Sequence, residues 1–365
     1  MTVVGGTIRP YRIAFRRPYQ LPSGTRAVRE GFTVALMDDD GRTGLGEAAP
    51  LSSRTETLAQ SERAVRQALD RIDGHRTDAG TWLARPTDLV AHGAPCALAA
   101  LATALMDLAS QRAERPLYAW LNDRFNIKAT PMSAVPVNAT LPAGTPEVTE
   151  REARQAVEAG FTTLKIKVGA RDDDVARVAA VRDAVGPHVR LRLDANAAWQ
   201  RDEALQHISS LSPYDIEYFE QPVPAADLQG LAWVRSRCDA NIAADEPIVS
   251  LEAAQRVLAA DAADVLVLKP MVLGGPEATF AIAQYAREHG VDVVISSTID
   301  AVVGRTMAAH VAAALGVRER ACGLATGSLL AGDVGHAAVE LDRGTLRLSD
   351  APGLGAHLST EASAR

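Results

Sequence analysis

Five short segments decide the fold: Leu164-Lys-Ile-Lys-Val-Gly169, Leu191-Arg-Leu-Asp-Ala-Asn196, Tyr218-Phe-Glu-Gln-Pro222, Ala243-Ala-Asp-Glu-Pro247 and Val265-Leu-Val-Leu-Lys-Pro270. Each is an apolar run too short for a helix, yet each ends in charge, where a buried parallel strand is otherwise almost wholly apolar. The charges Lys167, Asp194, Glu220, Asp245 and Lys269 follow one another at intervals of 27, 26, 25 and 24 residues. One strand plus one helix fills such an interval, so the charges mark the same end of five consecutive strands. Completing the series predicts eight strands, at Val135–Thr140, Thr163–Val168, Val189–Asp194, Ile216–Glu220, Ile242–Asp245, Val265–Lys269, Val291–Ser297 and Gly323–Thr326. Helical segments such as Pro146–Glu158, Asp172–Val185, Arg201–Ser210 and Leu251–Ala260 alternate with them. Alternating strands and helices mean βαβ units, and eight in about 200 residues is the count of a (β/α) barrel. A doubly wound sheet would need a glycine fingerprint after its first strand, and Gly274-Gly275 is the nearest candidate.

The C-terminal strand ends of such a barrel form its reactive face. There Asp194, Glu220 and Asp245, on three neighbouring strands, can converge. Three carboxylates in a dry site repel one another, and a divalent cation removes the conflict. An all-oxygen set favours Mg²⁺, with Mn²⁺ also suited, and the lack of His or Cys disfavours zinc. Lys167 and Lys269 flank the acids on opposite sides. Cations near each other and near a metal lose their protons more readily, so at least one lysine is expected to serve as a neutral base near pH 7. A base facing a metal-bound carboxylate suits removal of the proton α to it. Arg192 shares the inward face of Asp194 and demands a carboxylate lower in the barrel that the sequence does not name.

Upstream, Thr7–Phe15, Gly31–Met37 and Gly44–Glu47 read as strands, with a turn at Asp38–Gly41, followed by helices over Thr55–Ile72 and Pro95–Arg112. Arg16–Glu30, rich in Arg, Pro and Gly, reads as a loop able to close over the site. This gives an α+β unit followed by a barrel. The chain has 365 residues and a formal charge of −7, which argues against nucleic-acid or membrane-surface partners. Its three cysteines have no metal-type spacing, its first residues lack a signal-peptide apolar region, and its longest uncharged stretch, Ala94–Met106, is too short to span a bilayer. The expectation is a cytoplasmic protein acting on a small-molecule carboxylate, its oligomeric state open.

These motifs resemble the enolase superfamily, in the muconate-lactonizing-like branch with Lys-x-Lys on the second barrel strand and Lys on the sixth. The pattern of a Lys base with Mg²⁺ is described for that superfamily in general. Gly44-Leu-Gly-Glu-Ala-Ala-Pro50 and Ala104-Leu-Met-Asp-Leu108 with Pro116-Leu-Tyr118 are similar to its capping-domain motifs. The resemblance implies a modified (β/α)7β barrel at 129–330 under an α+β capping domain of 1–128 plus 331–365, with the tail returning to it. Within the superfamily, Leu191–Asn196 and Val294–Asp300 followed by Gly304 are most similar to the o-succinylbenzoate synthases of menaquinone biosynthesis. That family implies syn dehydration through an enediolate, with Lys167 as base, Lys269 as electrostatic partner and Lys165 auxiliary. It also implies substrate contacts from Asn196, Ser296 and Ser297. Glu246-Pro247 departs from the Glu-Ser common in the synthases, and Ala325-Thr-Gly-Ser328 stands where dipeptide epimerases carry Asp-x-Asp. An N-succinylamino acid racemase, a muconate-type cycloisomerase and a non-catalytic metal-binding barrel stay open as alternatives.

Overall fold

The computed structural model describes all residues except 22–23, 73–76, 79, 81–82, 84, 91–92, 172 and 360–365. The N-terminal unit is a sheet of β1 (Thr2–Leu21), β2 (Gly24–Asp38), β3 (Thr43–Ala48) and β4 (Thr77–Asp78), in the order β3-β2-β1-β4. Helices α1 (Leu58–Ile72), α2 (Pro95–Arg112) and α3 (Leu117–Arg124) complete it. Ala94–Met106 lies largely in α2, whose residues from Ala99 to Leu108 are all buried. Gly44 and Gly46 let β3 lie directly on this helix, since a Cβ would come 2.1 Å from the Ala104 oxygen and 1.9 Å from that of Ala100. The expected loop at Arg16–Glu30 is instead the far half of a long β1–β2 hairpin, paired out to Leu21↔Gly24 with a register shift between Ala14 and Tyr19. Exposed Arg16, Arg17 and Pro18 gave it a loop's composition, whereas the ladder needs only backbone groups.

The remaining chain forms a modified (β/α)7β barrel. β6 (Ala139–Leu141), β7 (Thr163–Lys167), β8 (Arg190–Asp194), β9 (Ile216–Glu220), β10 (Ile242–Ala244), β11 (Val265–Leu268) and β12 (Asp292–Ile295) pair in that order, all in parallel. Between them run helices including α4 (Pro146–Glu158), α5 (Asp174–Val185), α6 (Arg201–Leu211), α7 (Leu228–Arg235) and α8 (Leu251–Ala259). A short α9 (Pro270–Leu273), α10 (Pro276–Glu288) and α11 (Val302–Leu315) complete the set. The expected eighth strand at Gly323–Thr326 is reduced to two bridges, Val137↔Cys322 and Ser296↔Gly323, and Thr326 falls in a 3-10 turn. These bridges join the segment after β12 to that before β6. The expected first strand is also split: β5 (Ala134–Pro136) leaves the barrel to pair with β15 (Thr345–Leu348) of a C-terminal hairpin whose other arm is β14 (Val339–Asp342). β13 (Gly335–Ala337) pairs with β16 (Ala356–Leu358).

Glu47, on β3, binds the two units together. Its carboxylate accepts from the Ala301 and Gly304 amides, both at 2.7 Å, and from Tyr11 Oη at 2.6 Å. It therefore satisfies orphan donors at the start of α11, a favourable place for an anion. Asp107, on α2, accepts from Leu45 N and Leu354 N, each at 2.8 Å, tying the first unit to the returning tail.

Candidate active site

Strand register builds the site. Lys167 pairs with Asp194, and Asp194 with Glu220, so three of the charges stand in one row. Glu220 pairs with Ala243, and Ala243 with Val265, so Asp245 and Lys269 each sit two residues further along. That stagger is the shear of a closing barrel. Below the row, Arg192 finds the partner the sequence did not name. Leu191 pairs with Ile216 and Arg192 with Tyr218, leaving Glu217 as an extra residue in a bulge. Arg192 Nε meets Glu217 Oε2 at 2.5 Å, and its guanidinium lies over the Tyr218 ring.

Asp194, Glu220 and Asp245 are all buried. Lys165 Nζ lies 2.9 Å from Asp194 Oδ2 and 2.7 Å from Glu220 Oε2, Lys167 Nζ is 3.7 Å from Asp194 Oδ2, and Lys269 Nζ is 2.7 Å from Asp245 Oδ2. Arg54, from the segment between β3 and α1, grips Asp245 with both arms, at 3.0 and 2.8 Å, and Glu246 Oε1 at 2.5 Å. Burial would push the Asp194 carboxyl up, but Lys165 and Lys167 outweigh it and hold it below the usual range. Burial likewise opposes the charge on Asp245, and Arg54 and Lys269 carry it well below. Glu220 goes the other way, pushed up by burial and by Asp194 despite Lys165. Burial works against the ammonium of Lys165 and of Lys167, yet Asp194, with Glu220 at Lys165 and Tyr19 at Lys167, raises both above an ordinary lysine.

Three buried acids whose described side-chain partners are all cations form a donor set suited to a hard divalent ion. As placed, they do not bring three oxygens within 4.8 Å of one another. Among the described residues only Asp38, Asp39 and Asp40, at the β2–β3 turn, do so, and Arg42 and Arg112 pair with that cluster.

Lys165, Lys167, Asp194, Asn196, Asp245, Lys269, Ser296 and Ser297 line one cavity, so eight of the nine expected residues share a wall, with Glu220 beneath Lys165. Lys167 donates to Asn196 Oδ1, and Asn196 takes a left-handed φ of 45°. Ser297 Oγ lies 2.8 Å from Thr326 Oγ1. The same cavity includes Tyr19, Arg54, Glu246 and Thr326, which sequence reasoning had not assigned. Tyr19 comes from the β1–β2 hairpin, with Lys167 Nζ 5.5 Å from its ring centre.

Residues 148–362 match the family described as Enolase C-terminal domain-like. A hydrophobic dipeptide epimerase of Enterococcus faecalis is 34% identical over 310 residues, 84% of this chain and 86% of that protein. The chain belongs to the enolase superfamily. It is an enzyme of that group by descent. The solved structure of the Enterococcus faecalis dipeptide epimerase complexed with Mg and the dipeptide L-Leu-L-Tyr superposes with a TM-score of 0.89 at 32% identity, covering 98% of this chain and 99% of that one. An o-succinylbenzoate synthase of Thermobifida fusca is 47% identical over a shorter span, 204 residues, which is 55% of this chain and 62% of that protein. Enolase superfamily relatives of this chain thus include both a lyase and an isomerase.

Proposed function

We propose that this enzyme is an o-succinylbenzoate synthase, a Mg²⁺-dependent lyase of menaquinone biosynthesis acting in the cytoplasm. It dehydrates 2-succinyl-6-hydroxy-2,4-cyclohexadiene-1-carboxylate. The observation that carries this reading is the division of the cavity wall. Its acids, Asp194, Asp245 and Glu246, lie at the ends of the middle strands β8 and β10, while Thr140 on β6, Ser296 and Ser297 after β12, and Thr326 line the cavity with hydroxyls where the barrel closes. A dipeptide's free ammonium would meet no counter-charge on that hydroxyl wall, whereas a succinyl group can accept hydrogen bonds from it. The 47% identity to the Thermobifida fusca synthase supports the same reading.

Asp194, Glu220 and Asp245 would hold the metal, which would supply a Lewis acid for the substrate carboxylate. Lys167 Nζ removes the α-proton, and its contact with Asn196 orients it. The Lys269 ammonium stabilises the developing enediolate charge. Lys167 then returns its proton to the departing hydroxyl, on the same face, and the ring becomes aromatic. Lys165 sets the charge balance between Asp194 and Glu220. A racemase of N-succinylamino acids is the second reading, favoured by Lys167 and Lys269 standing on opposite sides of the acids. Turnover of the cyclohexadiene, run beside racemisation of an N-succinylamino acid and epimerisation of a dipeptide, separates the three. The synthase predicts aromatic product from the first substrate and no turnover of the dipeptide. Absence of aromatic product, with turnover of either other substrate, refutes it.

A further inference from the structure

Four carboxylates crowd the floor of the cavity: Asp194, Glu220, Asp245 and Glu246. Four cations balance them: Lys165, Lys167, Lys269 and Arg54. The three lysines stand at the ends of barrel strands. Arg54 alone comes from the capping unit, on a turn closed by its own bonds, Arg54 N to Leu51 O at 2.8 Å and Thr55 N to Leu51 O at 2.9 Å. Cationic side chains thus match the carboxylates of the cavity floor one for one, and a bound divalent ion adds two further positive charges. One or more cations must then give way, and Arg54 is the one not built into the barrel.

The geometry at Asp245 leads to the same residue. A carboxylate offers about four acceptor positions. Arg54 takes one on each oxygen of Asp245, and Lys269 takes another on Oδ2. The guanidinium fork matches a carboxylate's own geometry, so its hold is strong and planar. A divalent ion seeking the same oxygens meets a fixed positive charge at hydrogen-bond distance.

We infer that Arg54 is a positioning residue that competes with the divalent cation for Asp245, so that metal loading releases the Leu51–Thr55 turn from the barrel. This rests on the reading of Asp194, Glu220 and Asp245 as the metal cage. The inference makes Arg54 a regulator of that cage's affinity, set from outside the barrel. Loss of an ordinary structural contact would leave metal binding unchanged or weaker; loss of a competitor makes it tighter.

The test uses the full chain, stripped with EDTA and titrated with MgCl₂ by calorimetry. Arg54→Met is expected to bind Mg²⁺ roughly tenfold or more tighter than the parent, while melting at a lower temperature in EDTA. Arg54→Lys, which keeps the charge without the fork, is expected to lie between them. Equal or weaker Mg²⁺ affinity in both variants overturns the inference and leaves the metal cage standing. No Mg²⁺ binding by the parent or either variant overturns the cage itself and the inference with it. Should Arg54→Met fail to fold, hydrogen exchange in the parent decides. The Arg54 and Thr55 amides are expected to exchange faster with Mg²⁺ than without it, and unchanged or slower exchange refutes the release.

Discussion

The proposed dehydration gives Lys167 and Lys269 different tasks, and single substitutions separate them. Lys167→Ala removes the base and is expected to lower kcat by about 10²- to 10⁴-fold, with solvent-deuterium exchange at the α-carbon lost as well. Lys269→Ala is expected to lose a comparable factor in dehydration. If Lys269 instead works as a second base, exchange of one substrate configuration survives in Lys167→Ala, and the racemase reading gains. Asp245→Asn is expected to weaken Mg²⁺ binding and to abolish turnover, which calorimetry and product absorbance would show. The residues on barrel strands were legible because strand ends recur at a regular interval and alternation fixes which side each faces. Arg54, 191 positions from Asp245, was not. It belongs to no periodic pattern, and only the docking of one unit on the other brings it in. Glu217 escaped for a local reason, since a bulge breaks the alternation that would have placed it.

Elements tell a similar story with different exceptions. Helices α4, α6 and α8 fall within a residue or so of their expected bounds, because amphipathic spacing and capping both mark them. The long hairpin of β1 and β2 was hidden by its charged composition, and the eighth strand shrank to Cys322 and Gly323 because little pairing is needed to link Ser296 to Val137. Close packing of β3 on α2 offers a sharp test. Gly46→Ala would place a methyl 1.9 Å from the Ala100 oxygen, and the expected cost is about 1–3 kcal/mol, read from denaturant unfolding. The turn after β7 is pinned differently. Buried Arg177 donates to the Lys167 carbonyl at 2.9 Å and to Asp174 Oδ1 at 2.7 Å, and Gly169 N donates to Asp174 Oδ2. Arg177→Met leaves that acid uncompensated and is expected to cost about 3–5 kcal/mol, lowering the melting temperature; activity per folded molecule falls too as Lys167 loosens.

At the scale of the molecule, buried His310 on α11 joins all three parts of the chain. Its Nδ1 accepts from Tyr118 N at 3.0 Å, and Nε2 meets the Leu354 carbonyl at 3.1 Å. Burial presses its pKa from 6.5 down to about 4, so the fold keeps it neutral. Below pH 6.5 the unfolded chain binds the extra proton first, and stability falls as pH drops toward 4. This group's share is about 3 kcal/mol. Stability of the parent relative to His310→Gln is therefore expected to be greatest above pH 6.5 and to narrow toward pH 4. A pH-independent gap in paired denaturant titrations would refute it. An α+β unit and a barrel were foreseeable from the order of strand-like and helix-like segments, and the capping arrangement from the family resemblance, but this three-way junction was not, since it joins positions 118, 310 and 354. The bond from Leu354 N to Asp107 has a consequence for synthesis. A nascent chain emerges from its amino end, so the carboxylate of Asp107, with Leu45 N and Gln111 Nε2 already at hand, has to wait for its third donor until residue 354 has left the ribosome. The first part of this protein to be made is among the last to be finished.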